Sequence, residues 1–293
     1  MKHKLIFKFL MVTLALFVTG GPGIAATFDM TGSYLNVGVS NTGGLVDDTQ
    51  SPVGIQFDKT GTGTFPQPDI LTGSGIPFEF YAVGINGSDL GPNGTANFFI
   101  SNSNYTVITT QVAPLVASTA GLVGTGLVMT QVAVVSGKSI LFNVNFFNIS
   151  GAPMTVEYAR GMAPDPDAAQ FSFNTINSIS AGMVTAVGPL TGIAISLVDL
   201  SGGGVPTIQA FNSGPFLWAT DLKTLAMPMA AGNYGSSFFS SIDMYWNLGT
   251  LANDTGKSIS FEYNLSAVPL PSALLLFAPG LLGLVGLRKR FFG

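Results

Sequence analysis

Short runs of alternating apolar and polar residues recur along the chain, and no long stretch repeats its apolar positions every 3.6 residues. The runs are rich in Val, Ile, Phe, Thr and Tyr and are separated by Gly, Pro, Asn and Ser, the residues of turns. Predicted strands include Phe78–Ile85, Thr106–Val112, Leu127–Val135, Ile140–Ile149, Thr155–Arg160, Met183–Ala186, Ile193–Val198 and Phe238–Trp246. The cleanest is Ile259–Leu265, with Ile259, Phe261, Tyr263 and Leu265 on one face and Ser260, Glu262 and Asn264 on the other. Thirty-seven Gly and seventeen Pro supply the connections. The pattern predicts an all-β, antiparallel chain, one large β-sandwich or two in tandem.

Two segments depart from this pattern. At the start, Lys2, Lys4 and Lys8 precede a mostly apolar run from Phe9 to Val18, followed by small residues up to Ala25 and Ala26. That layout predicts a signal helix over residues 1–26, removed by signal peptidase, because the run is too short for a stable span. At the other end, Ser272 to Leu287 carries no charge and Arg288, Lys289 and Arg290 close it. A helix counted from Val268 reaches about 30 Å, the thickness of a bilayer core, and the terminal cations hold its end on the cytoplasmic side.

The tail resembles a known sorting signal. Val268-Pro269-Leu270-Pro271, a Leu-rich segment with Gly280 and Gly283, and a basic cluster resemble the PEP-CTERM signal read by exosortases, in its Val-Pro-Leu-Pro variant. The resemblance implies a Gram-negative host, transient anchoring in the inner membrane, cleavage near Val268–Pro271, and release to the surface or to a matrix of exopolysaccharide. The expected organisation is therefore a signal peptide (1–26), a β-sandwich body (27–267) and a sorting tail (268–293). Gly137-Lys-Ser-Ile140-Leu-Phe142 recurs as Gly256-Lys-Ser-Ile259-Ser-Phe261, which suggests halves 27–150 and 151–267. Neither copy is a phosphate loop, because the Gly required five positions earlier is Val132 or Leu251.

Charge and composition narrow the functions. The body keeps five basic and all fifteen acidic residues, a net charge of −10, which opposes nucleic acid and anionic lipid. It has no Cys, and the one His of the chain is His3. Catalysis through imidazole or thiol is thereby excluded, leaving carboxylate pairs, Ser–Lys arrangements or oxygen-ligated metals.

The densest acidic feature, Asp165 and Asp167 between prolines, fits either a Ca²⁺ ligand pair or a rigid turn. Asp47-Asp48 poses the same choice. Trp218, Trp246, Tyr245 and Tyr234 are candidates for a sugar-stacking platform or for core. No cofactor other than Ca²⁺ is expected. The leading expectation is a non-catalytic structural or adhesive protein associated with exopolysaccharide, not an enzyme. A carbohydrate-binding sandwich and a carboxylate-based hydrolase are the alternatives.

Overall fold

The computed structural model of the chain describes residues 28–45, 54–65, 70–71, 78–96, 102–167, 174–210, 222–238 and 240–267. The expected terminal helices, the tail motif Val268–Pro271 with Arg288, Lys289 and Arg290, Asp47-Asp48 and Trp218 lie outside them. Among the described residues no helix is long and apolar enough to cross a membrane.

Nine strands come from the first half of the chain: β1 (Phe28–Thr31), β2 (Leu35–Val39), β3 (Ile55–Phe57), β4 (Phe78–Ile85), β5 (Ser88–Ala96), β6 (Tyr105–Ala113), β7 (Val116–Val123), β8 (Leu127–Ser136) and β9 (Ser139–Asn148). Then follow β10 (Met154–Met162), β11 (Asn174–Ser180), β12 (Met183–Val187), β13 (Ile193–Asp199), β14 (Val205–Ala210), a one-turn helix α1 (Leu222–Leu225), β15 (Gly232–Phe238), β16 (Ser240–Leu251) and β17 (Gly256–Ala267). The chain is all-β, and its strand pairs are antiparallel.

Among the described residues three sheets form, ordered β1-β2-β3, β14-β16-β10-β4-β5 and β15-β11-β12-β13-β17-β9-β8-β7-β6. Both larger sheets mix strands from 27–150 with strands from 151–267. The two Gly-Lys-Ser segments open β9 and β17, which are direct neighbours. Phe142 and Phe261 face each other in that register, their rings stacked at 4.9 Å.

Alternation decides what each strand buries. On β17 the predicted set Ile259, Phe261, Tyr263 and Leu265 is buried, and β8 buries every second residue from Leu127 to Val135. One hydrophobic core draws side chains from all three sheets. Its centre is aromatic: Tyr158 of β10 and Trp246 of β16 meet Phe261 of β17 at 6.3 and 5.1 Å between ring centroids. The inner face of the five-stranded sheet is thus packed against the nine-stranded one, and its outer face holds a second, smaller cluster around Phe80, Ala82, Ala159 and Tyr245.

Candidate functional site

Polar groups gather in two places, one sealed and one reachable. The sealed set lies between the sheets. Arg160 and Glu79, both fully buried, form an ion pair through Nε and Oε1. Arg160 Nη1 also donates to Gln131 Oε1 at 2.6 Å, and the Leu45 N–H donates to Glu79 Oε2 at 3.0 Å. Burial opposes the Arg160 charge, but the Glu79 carboxylate beside it holds the guanidinium protonated above its ordinary range. Burial pushes the Glu79 carboxyl up, against the pull of Arg160. The guanidinium lies 4.3 Å from the Phe142 ring centroid, a desolvated cation–π contact. Glu79, Gln131, Phe142 and Arg160 are all buried, so the role of this cluster is to fix how β4, β8, β9 and β10 meet.

The reachable set is on the outer face of the five-stranded sheet. Register brings four residues far apart in sequence into one transverse row: Asp89 of β5, Gly84 of β4, Glu157 of β10 and Asn247 of β16. Two strand spacings separate Asp89 from Glu157, roughly 10 Å between backbones. Gly84 lies between them, and its lack of a Cβ makes room for the side chains of Leu222 and Glu157. A Cβ there would meet Leu222 Cδ1 at 2.7 Å and Glu157 Oε2 at 2.8 Å, so Glu157 leans over the glycine and α1 borders it.

Each acid is held by a donor. The Leu222 N–H donates to Asp89 Oδ2 at 3.0 Å, and the Gly91 N–H to Oδ1 at 2.8 Å. Tyr245 donates its hydroxyl to Glu157 Oε1. Burial and that hydrogen bond push the Tyr245 phenol far above its ordinary range, so it stays a donor. Asp89 and Asn247 are exposed and Glu157 is half-buried. The next row, Tyr245, Ala159 and Ala82, is buried in one cluster with Leu222 and Leu225 of α1.

One row further, Asp243 is fully buried opposite Gly161 and Thr207. Ser241 donates to its Oδ2 at 2.7 Å, while Oδ1 and the Thr207 hydroxyl have no hydrogen-bond partner among the described residues. Burial raises the Asp243 carboxyl well above the usual carboxylate range. Gly161 is obligatory here, since a Cβ would lie 1.9 Å from Asp243 Oδ1.

No family model matches the chain, and no curated protein is similar to it in sequence. Among solved structures it is similar to the GalM/aldose epimerase homologue of C. elegans, at 9% identity and a TM-score of 0.50 over 84% of this chain and 100% of that one. The galactose mutarotase related enzyme of Lactobacillus acidophilus is similar over 83% and 99% of the two chains, at 7% identity and a TM-score of 0.45. A bacterial glucoamylase complexed with acarbose aligns with 87% of this chain and 35% of its own, at 12% identity and a TM-score of 0.47.

The fold is shared with an aldose epimerase homologue. That likeness, with the nematode protein, corrects two expectations. The non-catalytic structural or adhesive reading, and the inference that the chain is no enzyme, rested on missing residue types. The fold is one that an aldose epimerase homologue also uses, and lack of His and Cys leaves carboxylate and phenol chemistry in place.

Of the other candidates, Asp167 is fully buried and closes the β12–β13 turn. It accepts from the Leu190 N–H at 2.7 Å, the Thr191 N–H at 2.8 Å and the Thr191 hydroxyl at 2.6 Å. Asp165 is buried and donates its N–H to the Ile70 carbonyl at 2.6 Å. Among the described residues no three acids gather at one point. Of the platform and core alternatives, Trp246 takes the core, and it shares no face with Tyr245. As neighbours on β16 they point to opposite faces, Trp246 into the core with its Nε1 donating to Asp199 at 3.0 Å and Tyr245 to the outer face. Tyr234 is exposed on β15.

Proposed function

We propose that the body is a carbohydrate-binding β-sandwich whose site is the Asp89–Gly84–Glu157–Asn247 row. The observation that carries this reading is that one register row places Asp89, Glu157 and Asn247 side by side on a face where their polar side chains reach solvent. A sugar ring presents hydroxyl donors on opposite edges and C–H groups on its faces. Carboxylates accept from hydroxyls in charge-assisted bonds, and Asn247 offers both a donor and an acceptor. The fold shared with the C. elegans aldose epimerase homologue supports a small aldose as ligand. The setting we propose is outside the cytoplasm, on the strength of residues 1–26 and the exosortase-like tail.

Titration calorimetry of the full chain with D-galactose and D-glucose tests the binding. One of the two is expected to bind, and Glu157→Gln to weaken it at least tenfold, the worth of about one charge-assisted hydrogen bond. Binding that survives both Glu157→Gln and Asp89→Asn unchanged contradicts the site.

The same row favours a second reading, general acid–base chemistry on the bound sugar. Paired carboxylates about 5–10 Å apart suit work at an anomeric centre, and roughly 10 Å between backbones lets the side chains span that range. Conversion of a fresh solution of one anomer, followed by polarimetry, distinguishes binding alone from catalysis.

A further inference from the structure

We propose that β6 is a docking edge for a second copy of this chain, joining two nine-stranded sheets across a two-fold axis. An edge strand offers a row of unpaired N–H and C=O groups, and proteins protect such edges with proline, charge, glycine or shortness. Each other described edge has such a device. Pro206 lies within β14, and Pro92 and Asp89 within β5. β1 is four residues long and contains Asp29, β3 is three residues long, and β15 contains Gly232 and Gly235.

β6 has none of these. Its nine residues, Tyr-Thr-Val-Ile-Thr-Thr-Gln-Val-Ala, include no charge, no proline and no glycine. Its one irregularity, between Gln111 and Ala113, falls at the far end and leaves Tyr105–Gln111 regular. The strand is also held firmly for docking. On its inner side Val107 packs against the core and the Thr109 hydroxyl donates to the Asn41 carbonyl at 2.9 Å. On its outer side Thr106, Ile108 and Thr110 are exposed, Ile108 by 49%.

The sequence of β6 is complementary to itself in the antiparallel sense. A two-fold axis through Ile108 sets Ile108 against Ile108 of the second copy, Thr106 against Thr110, and Val107 against Thr109. Like β-branched residues thus meet on each face with no like charges opposed, the pairings that stabilise antiparallel ladders. The contact is isologous and closes at two copies.

Sedimentation equilibrium of the full chain tests the edge. The expected mass is twice that of one chain. Ile108→Lys and Ile108→Glu should each give a single-chain mass, because each sets like charges face to face across the axis. An equimolar mixture of the two should recover the doubled mass. Leu122→Lys, exposed on the same face but on β7, should leave the dimer intact. A monomeric native chain, a doubled mass that survives Ile108→Lys, a mixture that stays monomeric, or a Leu122→Lys monomer each overturns the proposal.

Discussion

Glu79→Ala is expected to lower the unfolding free energy by about 3–5 kcal/mol, because it leaves the Arg160 charge buried without its counter-ion. Arg160 and Glu79 are both fully shielded from solvent, so water cannot replace the lost partner. Gln131 holds one guanidinium nitrogen, yet a neutral amide cannot offset a desolvated cation. Glu79 Oε2 also accepts from the Leu45 N–H, so its removal loosens the 40–45 segment as well. The double variant Glu79→Leu with Arg160→Met is expected to recover most of the loss, since apolar pairs of similar volume commonly match a buried ion pair. Urea denaturation followed by linear extrapolation measures both. A single-variant cost under about 1 kcal/mol would mean that the pair behaves as a surface salt bridge.

Asp243→Asn is expected to remove a pH dependence. Burial raises the Asp243 carboxyl in the folded protein, so the native state holds that proton more tightly than the unfolded chain. A raised acid contributes stability that is fully present below the unfolded value near ~3.9 and is lost as pH rises through the folded value. Over that window the native chain loses up to about 1.4 kcal/mol per pH unit relative to the Asn variant, which cannot ionise. Asn keeps the shape and still accepts from Ser241. The difference in stability between the two proteins should grow steadily from pH 4 upward. A difference that stays flat across that range would show that Asp243 ionises at its ordinary value.

The strands legible in the sequence are those whose own residues suit a half-buried pleat. β9 and β17 alternate branched and aromatic residues with mostly polar ones, β8 and β13 are largely apolar, and the observed limits of all four match the expected ones within a few residues. Five strands were not legible. β5 reads Ser-Asp-Leu-Gly-Pro-Asn-Gly-Thr-Ala, a turn composition, and is a strand because β4 pairs with it. β7, made largely of Ala, Ser, Thr and Gly, owes its state to pairing on both sides. The short β1, the Asn/Ser-rich β11 and the Gly-containing β15 follow the same rule.

The candidate site was less legible still, for a physical reason. Asp89, Gly84, Glu157 and Asn247 share no spacing, and only the register of four strands makes them neighbours. Asp165 and Asp167 are close in sequence, and both Asp167 oxygens accept from the turn at Leu190 and Thr191. Tyr245 and Trp246 are consecutive in a predicted strand, so the two-residue period already places them on opposite faces.

The most direct measurement is a crystal structure of the full chain grown with whichever of D-galactose and D-glucose binds in calorimetry. The account predicts density for one sugar ring on the outer face of the five-stranded sheet, with hydroxyl oxygens within hydrogen-bond distance of Glu157 and of Asp89 or Asn247. A ring bound elsewhere, with the Asp89–Glu157 gap unchanged, would contradict it.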